Sequence, residues 1–357
     1  MKACIHEKKL FILAALLILT LASCARCSFP SVSPKNGELT ILSYNCQNFF
    51  DGVDNGTEYI EFDPGTGEWN SDLFFKKLMN IAEVINASVQ GGPDIIALQE
   101  VENLNVLETI QETALTGRGY RDAVLIPAED SAVNCGFITR FPVIEARSHL
   151  VALEGSGYNR IILEVEFETG DTPLIIFNNH WKSKSGGAEE TEPVRIACAA
   201  FIKERILELS ESDPGKEIVI LGDLNENADE FKRVDQSYQT ALLPEDSLVP
   251  ENYAEKSIIV TFSEEKVKQT GAGLVFFSPW EQTEKEGSYV YSSTWETIDH
   301  FLLPSTFFDD KGWEYSSFDV IDEDFLLTDN NYPKRWNTDL QSGYSDHLPL
   351  LLTLTID

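Results

Sequence analysis

Ile218-Val219-Ile220-Leu221-Gly222-Asp223-Leu224-Asn225 sets how the rest of the chain is read, because four branched apolar residues stop on a glycine, a carboxylate and an amide. A short, β-branched apolar run of this kind reads as a buried strand. Its polar end marks a place where a rigid sheet can aim side chains into a cleft. The design recurs. Ile41-Leu42-Ser43-Tyr44 leads into Asn45, Asp94-Ile95-Ile96-Ala97-Leu98 into Gln99-Glu100, and Leu174-Ile175-Ile176-Phe177 into Asn178-Asn179-His180. Near the C-terminus, Ile298-Asp299-His300 and Ser345-Asp346-His347 each open an apolar run. Singly, an Asp or Asn at a strand end is a turn residue satisfying local backbone. Together, six strands bring carboxylates, amides and imidazoles to one end of a sheet.

Residues 123–126, 136–139, 161–167 and 289–292 read as further strands. Two segments read as helices. Ser71 is placed to cap one in which Phe74, Leu78, Ile81, Ile85 and Val89 recur at helical spacing, ending before Gly91-Gly92-Pro93. In the other, Val194, Cys198, Phe201, Arg205 and Leu209 form a stripe that Ile202 and Ile206 widen. No repeat or low-complexity linker interrupts residues 38–357, which read as one α/β domain. The apolar stretch Leu274-Val275-Phe276-Phe277, followed by Pro279-Trp280, is either a core strand or an exposed hairpin that touches membrane.

The first 23 residues differ from the rest. Lys2, Lys8 and Lys9 precede an apolar run from Leu10 to Leu21 that ends in Leu21-Ala22-Ser23-Cys24. This run is shorter than the roughly 20 apolar residues a membrane span needs, so it reads as a cleaved export signal. Its end resembles the bacterial lipobox. That resemblance makes Cys24 the lipid-bearing first residue of the mature protein, with residues 24–37 as a flexible tether and the cell envelope as its location. Among the 6 cysteines, Cys27, Cys46, Cys135 and Cys198 lack CxxC spacing and His neighbours, which argues against a zinc site. Cys46, Cys135 and Cys198 lie in or beside apolar segments and read as small core residues.

The net charge of -32 argues against a protein that grips a polyanion over a wide surface, which takes many Lys and Arg. It leaves phosphate ester chemistry open. A metal ion and a few local cations can hold one phosphate on an acidic body, with transient engagement of long nucleic acids.

The signatures SYN, LQE, NNH, GDLN, IDH and SDH, in this order from Leu39 to the C-terminus, resemble the endonuclease/exonuclease/phosphatase family. Its members include pancreatic deoxyribonuclease, abasic-site endonucleases, bacterial neutral sphingomyelinases and inositol polyphosphate 5-phosphatases. The resemblance implies a four-layer α/β/β/α sandwich of two packed sheets flanked by helices. The stretch from Asn179 to Gly187, with Glu192-Pro193-Val194-Arg195, looks like the extracellular bacterial nuclease-like branch. Abasic-site enzymes lack a histidine at the position of His180, so that subgroup is the least similar.

Chemistry and resemblance together suggest roles. Oxygen ligands favour Mg²⁺, with Mn²⁺ or Ca²⁺ as substitutes, and Glu100, Asn45 and Asp346 are the candidate ligands. His347 is the candidate general base, oriented by Asp299. Asp223 and Asn225 would position the attacking water and bind a phosphoryl oxygen. His180 would donate to a non-bridging oxygen or to the leaving group. Substrate contacts fall to Arg160, Asn179 and Lys182, while His149 and His300 read as structural. One departure stands out: deoxyribonuclease-like members carry a glutamate near Val133-Asn134-Cys135-Gly136 that supports the first histidine, and here only Glu129 or Asp130 could reach it.

The leading expectation is a monomeric phosphodiesterase that takes nucleic acid as a transient substrate. A sphingomyelinase-type enzyme acting on phospholipid would show an exposed aromatic hairpin near the cleft. Hydrolysis of a small phosphoester would call for a dense Lys/Arg cluster. An inactive envelope binding protein is the non-enzymatic alternative.

Overall fold

The computed structural model describes residues 37–128, 131–153, 159–270 and 275–356, with the side chains of residues 159, 160 and 251 excepted. Cys24 and Cys27, Glu129, Asp130 and Leu274 fall outside the described residues, as does the whole export signal.

The chain runs β1 (Glu38–Phe49), α1 (Ser71–Ser88), β2 (Ile95–Val101), α2 (Leu104–Thr113), β3 (Asp122–Val124) and β4 (Asn134–Thr139). It continues with β5 (Val143–Ala152), β6 (Asn159–Phe167), β7 (Leu174–His180), α3 (Ala188–Ser212) and β8 (Glu217–Asp223). A small parallel sheet follows, made of β9 (Leu242–Pro244), β10 (Ile258–Thr261) and β11 (Phe276–Phe277). Then come the hairpin β12 (Tyr289–Tyr291) and β13 (Thr294–Glu296), and the strands β14 (Asp299–Leu302), β15 (Glu314–Val320) and β16 (Leu350–Thr355).

Two larger sheets form the body. One has the order β15-β16-β1-β2-β4-β3, the other β14-β8-β7-β6-β5. The period-2 alternation of strands explains how they pack. On β7, Ile175 and Phe177 join Ile218 and Ile220 of β8 in an apolar cluster with Cys198, Ile202 and Ile206 of α3. The alternate residues of β7 face the other sheet, and Asn178 ties the two together. Its Oδ1 accepts from Gln99 Nε2 at 2.7 Å, and its Nδ2 donates to the carbonyls of Leu98 and Gly136 at 3.2 and 3.0 Å. Helix α1 packs against β1, and α2 against β3 and β4. The layers are therefore helix, sheet, sheet, helix, as the sequence implied.

Several boundaries differ from the sequence reading. The α1 cap is Asn70 rather than Ser71, its side chain accepting from the amides of Asp72 and Leu73. Helix α3 begins at Ala188 and runs through Pro193, upstream of the stripe that revealed it. Strands β5 and β15 went unread because both are sheet edges with polar, half-exposed patterns. Phe276, Phe277 and Trp280 are buried, so this stretch is core. Cys46, Cys135 and Cys198 are buried and not in disulfides.

Candidate active site

The registers put the polar strand ends in one row. His180 of β7 pairs with Asp223 of β8, and Asp223 pairs with Asp299 of β14. All three lie on the face turned toward the six-stranded sheet, where Asn45 of β1 pairs with Gln99 of β2, next to Glu100. Asp346 and His347 enter from the loop before β16. A cleft of about 750 Å³ opens over Glu100, His180, Asp223, Asn225, Asp346 and His347.

The GDLN turn needs its glycine. Gly222 has φ +117°, and a Cβ there would lie 2.1 Å from the carbonyl oxygen of Asn179. Asp223 Oδ1 then accepts the amide of Asn225 at 2.9 Å, closing an Asx turn. Asp223 Oδ2 is the hub of the site. It accepts from Asn45 Nδ2 at 3.0 Å and stands 3.8 Å from His180 Nε2 and 3.9 Å from His347 Nε2.

Behind His347, Nδ1 lies 2.7 Å from Asp299 Oδ2, the same oxygen that accepts from Ser288 Oγ at 2.6 Å. The Tyr289 ring lies against the imidazole, centroids 4.7 Å apart. On the opposite side, Glu100 Oε1 accepts from Asn45 Nδ2 at 3.1 Å and Oε2 from the amide of Asn48 at 2.8 Å. His180 Nε2 is 3.5 Å from Glu100 Oε1.

Burial raises the Glu100 carboxyl above its ordinary pKa, and the charge of Asp346 raises it further. Burial, aided by Asp299 and Glu100, lifts Asp223 to about 7 against the opposing charge of His347. For His347 burial pulls the pKa down, but the charge and hydrogen bond of Asp299, with Asp223 and Asp346, prevail and lift it to about 10. The surrounding carboxylates thus favour the imidazolium at neutral pH.

A family model for endonucleases, exonucleases and phosphatases matches residues 40–356. The chain belongs to the endonuclease/exonuclease/phosphatase family. It is accordingly a phosphoric ester hydrolase. No curated protein matches the sequence. Solved structures share the fold. A family protein from Bacteroides thetaiotaomicron is 19% identical with a TM-score of 0.52, covering 90% of this chain and 98% of that one. D. rerio TDP2 complexed with single-strand DNA product is 14% identical with a TM-score of 0.52, covering 90% and 100%. The human Nocturnin catalytic domain with bound sulfate is 13% identical with a TM-score of 0.51, covering 92% and 96%.

Within this family member the donors suit a hard divalent cation. Glu100 and Asp346 are half-buried at the cleft and the charge of Asp346 disfavours that of Glu100, a repulsion that a bound cation would relieve. Asp223, Asp299 and His347 also bring one ligand atom each within 4.8 Å of the others. Asp299 Oδ2 is already engaged by His347 and Ser288, however, which suits that trio better to proton handling. Asn45 belongs to the site, with its amide nitrogen bridging Glu100 and Asp223.

Two proposed substrate contacts need correction. Asn179 is fully buried on the face opposite His180, because adjacent strand residues point apart. Its Nδ2 donates to the carbonyls of Phe177 and Leu221, and its Oδ1 accepts from Trp181 Nε1. Lys182 is buried beneath the loop, its Nζ 3.3 Å from the carbonyl of Ser185, while Lys184 lines the cleft. Lys184 is paired with Glu230 at 2.8 Å and Glu296 at 3.6 Å. Arg160 lies in β6 two residues beyond Ile162, which pairs with Asn179, so its backbone is at the His180 end of the sheet.

Other predicted residues hold structure. His300 is buried with Nε2 2.8 Å from the Glu226 carbonyl, and burial lowers its pKa to about 4. His149 pairs with Glu164. Arg195 is buried, bonded to Glu192 and Glu226 and to the carbonyls of Lys182 and Ala188, and so pins the 182–188 loop. The sequence reading missed Ser288 and Tyr289, which support the Asp299–His347 pair from the start of the β12–β13 hairpin. Their proximity to His347 is a tertiary fact with no local signature.

Proposed function

We propose that the protein is a divalent-metal-dependent phosphodiesterase that cleaves nucleic acid outside the cytoplasm. The observation that carries this reading is the facing of two assemblies across one cleft: Asp299–His347–Asp223 on one side, Glu100 with Asp346 on the other. Glu100 and Asp346, with Asn45 beside them, would hold Mg²⁺, with Mn²⁺ or Ca²⁺ as substitutes. The bound ion supplies charge neutralisation at the phosphoryl oxygens and the leaving oxygen.

The protein's own groups account for the rest. Asp299 fixes the tautomer of His347 and directs Nε2 toward Asp223 and the cleft. There His347 serves as the group that takes the proton of the attacking water. That role needs the imidazole neutral, and a cation held by Glu100 and Asp346 would oppose the carboxylates that favour its protonated form. Asp223 orients the water from between the two histidines. His180 donates to a non-bridging phosphoryl oxygen from Nε2, the nitrogen that faces Glu100 and Asp223.

Two features bear on the alternatives. Phe276, Phe277 and Trp280 are buried, so the apolar stretch read as a lipid-seeking hairpin is core, although the β12–β13 hairpin does set the exposed Tyr291 at the cleft and leaves phospholipid as the alternative that the vesicle arm of the test addresses. Lys184 is the single Lys or Arg among the described residues lining the cleft, and two carboxylates neutralise it, which suits one phosphate better than a polyphosphorylated ligand. We further infer export and lipid attachment at Cys24, supported by the sequence of residues 1–24, and a monomeric protein.

The test uses the purified mature protein with Mg²⁺, Mn²⁺ or Ca²⁺ against plasmid DNA, single-stranded RNA and sphingomyelin vesicles in parallel. Degradation of nucleic acid that both His347→Ala and Glu100→Ala abolish is the expected result. Choline phosphate release alone would transfer the protein to the lipid-cleaving class, and full activity in His347→Ala would sink the assignment of the base.

A further inference from the structure

Lys77 lies on α1 among Phe74, Leu78 and Ile81 and is fully buried. Lysine is almost never fully buried unless paired, and its ammonium is costly to remove from water. Here the partners are two main-chain carbonyls: Nζ donates to the oxygens of Gln47 and Asn48, the latter at 3.0 Å. The rings of Phe62 and Trp336 flank it, each centroid 5.5 Å from Nζ.

The carbonyls belong to an unusual turn. Gln47 and Asn48 both adopt left-handed backbone, at φ 48° and 59°, and the β1–β2 register breaks between Asn45 and Phe49. Glu100 on the neighbouring strand is also left-handed, at φ 59°, and the β2–β4 register breaks between Leu98 and Val101. Two adjacent strands thus bulge at the same level. The bulges are stitched together on the cleft side: the Asn48 amide donates to Glu100 Oε2 at 2.8 Å, and the Gln47 amide to Asn45 Oδ1 at 2.9 Å. With the amides of the turn committed to Glu100 and Asn45, the Gln47 carbonyl takes its donor from Lys77, and the Asn48 carbonyl accepts from Lys77 and, at 3.2 Å, from the Phe50 amide. Gln47 also clamps Trp336, its Oε1 accepting from the Trp336 amide at 2.8 Å and its Nε2 donating to the Trp336 carbonyl at 3.2 Å.

We propose that Lys77 is a positioning residue for the metal centre: by holding the Gln47–Asn48 turn from behind, it sets the orientation of the Glu100 carboxylate and the Asn45 amide. This rests on the reading of Glu100 and Asp346 as the cation ligands; Asn45, also expected as a ligand, turns its amide nitrogen to Glu100 and its oxygen to the Gln47 amide, and so orients Glu100. Lys77 itself touches neither substrate nor reacting atoms.

The test measures Mn²⁺ binding to the purified protein by electron paramagnetic resonance, beside Glu100→Ala, with near-ultraviolet circular dichroism to confirm folding. Lys77→Met keeps the volume and removes the donors. Second-shell losses typically weaken metal affinity by about 10–100-fold, and a shift of that size is expected in folded Lys77→Met, with activity recovering as Mn²⁺ is raised. Lys77→Gln, which retains a donor for one carbonyl, should fall between it and wild type. Wild-type Mn²⁺ affinity in either folded variant would overturn the proposal. Failure of both variants to fold would assign the lysine to the core alone and overturn it too. Absence of saturable Mn²⁺ binding in the wild type, or binding that Glu100→Ala leaves intact, would instead sink the ligand assignment.

Discussion

Alanine at Gly222 is expected to damage the site as much as the fold. An added Cβ would stand 2.1 Å from the carbonyl oxygen of Asn179 and 2.9 Å from its nitrogen, where real contacts do not fall below 3.0 Å. Relief requires β7 and β8 to part by the difference, about 1 Å, one residue from the His180–Asp223 pair. The backbone at φ +117° adds strain of about 1–3 kcal/mol for a residue other than glycine, and overpacking adds about 1–3 kcal/mol more. The loss of stability should therefore be about 2–6 kcal/mol, measurable by urea unfolding. A misplacement near 1 Å between catalytic groups costs on the order of 100-fold in rate, so kcat/KM on a chromogenic phosphodiester should fall by about that factor in the folded variant. Wild-type kcat/KM in a stable Gly222→Ala protein would refute the reasoning, since the two strands could then separate without disturbing the row of catalytic side chains.

Three other outcomes follow from the geometry. Asp299→Asn preserves shape but removes the charge behind His347, so turnover should drop by about 10²–10⁴-fold with Mn²⁺ affinity retained; an unchanged rate would detach this pair from the chemistry. Asn179→Ala removes a donor from the carbonyls of Phe177 and Leu221 and leaves the buried Trp181 Nε1 without its acceptor, so stability should fall by about 1–3 kcal/mol without a change in KM, and a selective rise in KM would restore Asn179 to the substrate site. Burial pushes Glu217 up to about 9, above the ordinary carboxylate range, although the Trp313 amide opposes the shift. A raised folded pKa means stability is fully present below the unfolded value and is lost as pH rises toward 9. The urea midpoint should therefore decline between about pH 5 and 9, and Glu217→Gln should flatten that slope; the same slope in both proteins would show that Glu217 is not its source.

The site was legible to the extent that strands carry it. Each apolar run ended on the residue that the registers later aligned, and GDLN signalled its own glycine-dependent turn. Edge strands β5 and β15 escaped because half-exposed strands mix polar and apolar residues without a clean apolar run. The substrate side was less legible. Asn178 and Asn179 are adjacent in sequence, yet one bridges the sheets while the other packs beneath α3. Lys182 and Lys184 are likewise indistinguishable as letters, yet one is buried and the other lines the cleft. Lys77 looked like an ordinary helical lysine, because nothing local reveals that two carbonyls wait for it in the core.

The sequence by itself determined the family, the two-sheet architecture and the identities of the carboxylates and imidazoles, since apolar runs and their polar ends are properties of consecutive residues. Tertiary structure alone decided which of those groups meet. Asp223 lies between two histidines, and Asn45 between Glu100 and Asp223, because three strand registers and two matched bulges bring positions up to 300 residues apart in sequence, as in the Ser345 hydroxyl donating to the Asn45 carbonyl, within bonding distance. Contacts of that separation depend on how sheets stack and where strands bulge, and no local pattern encodes either.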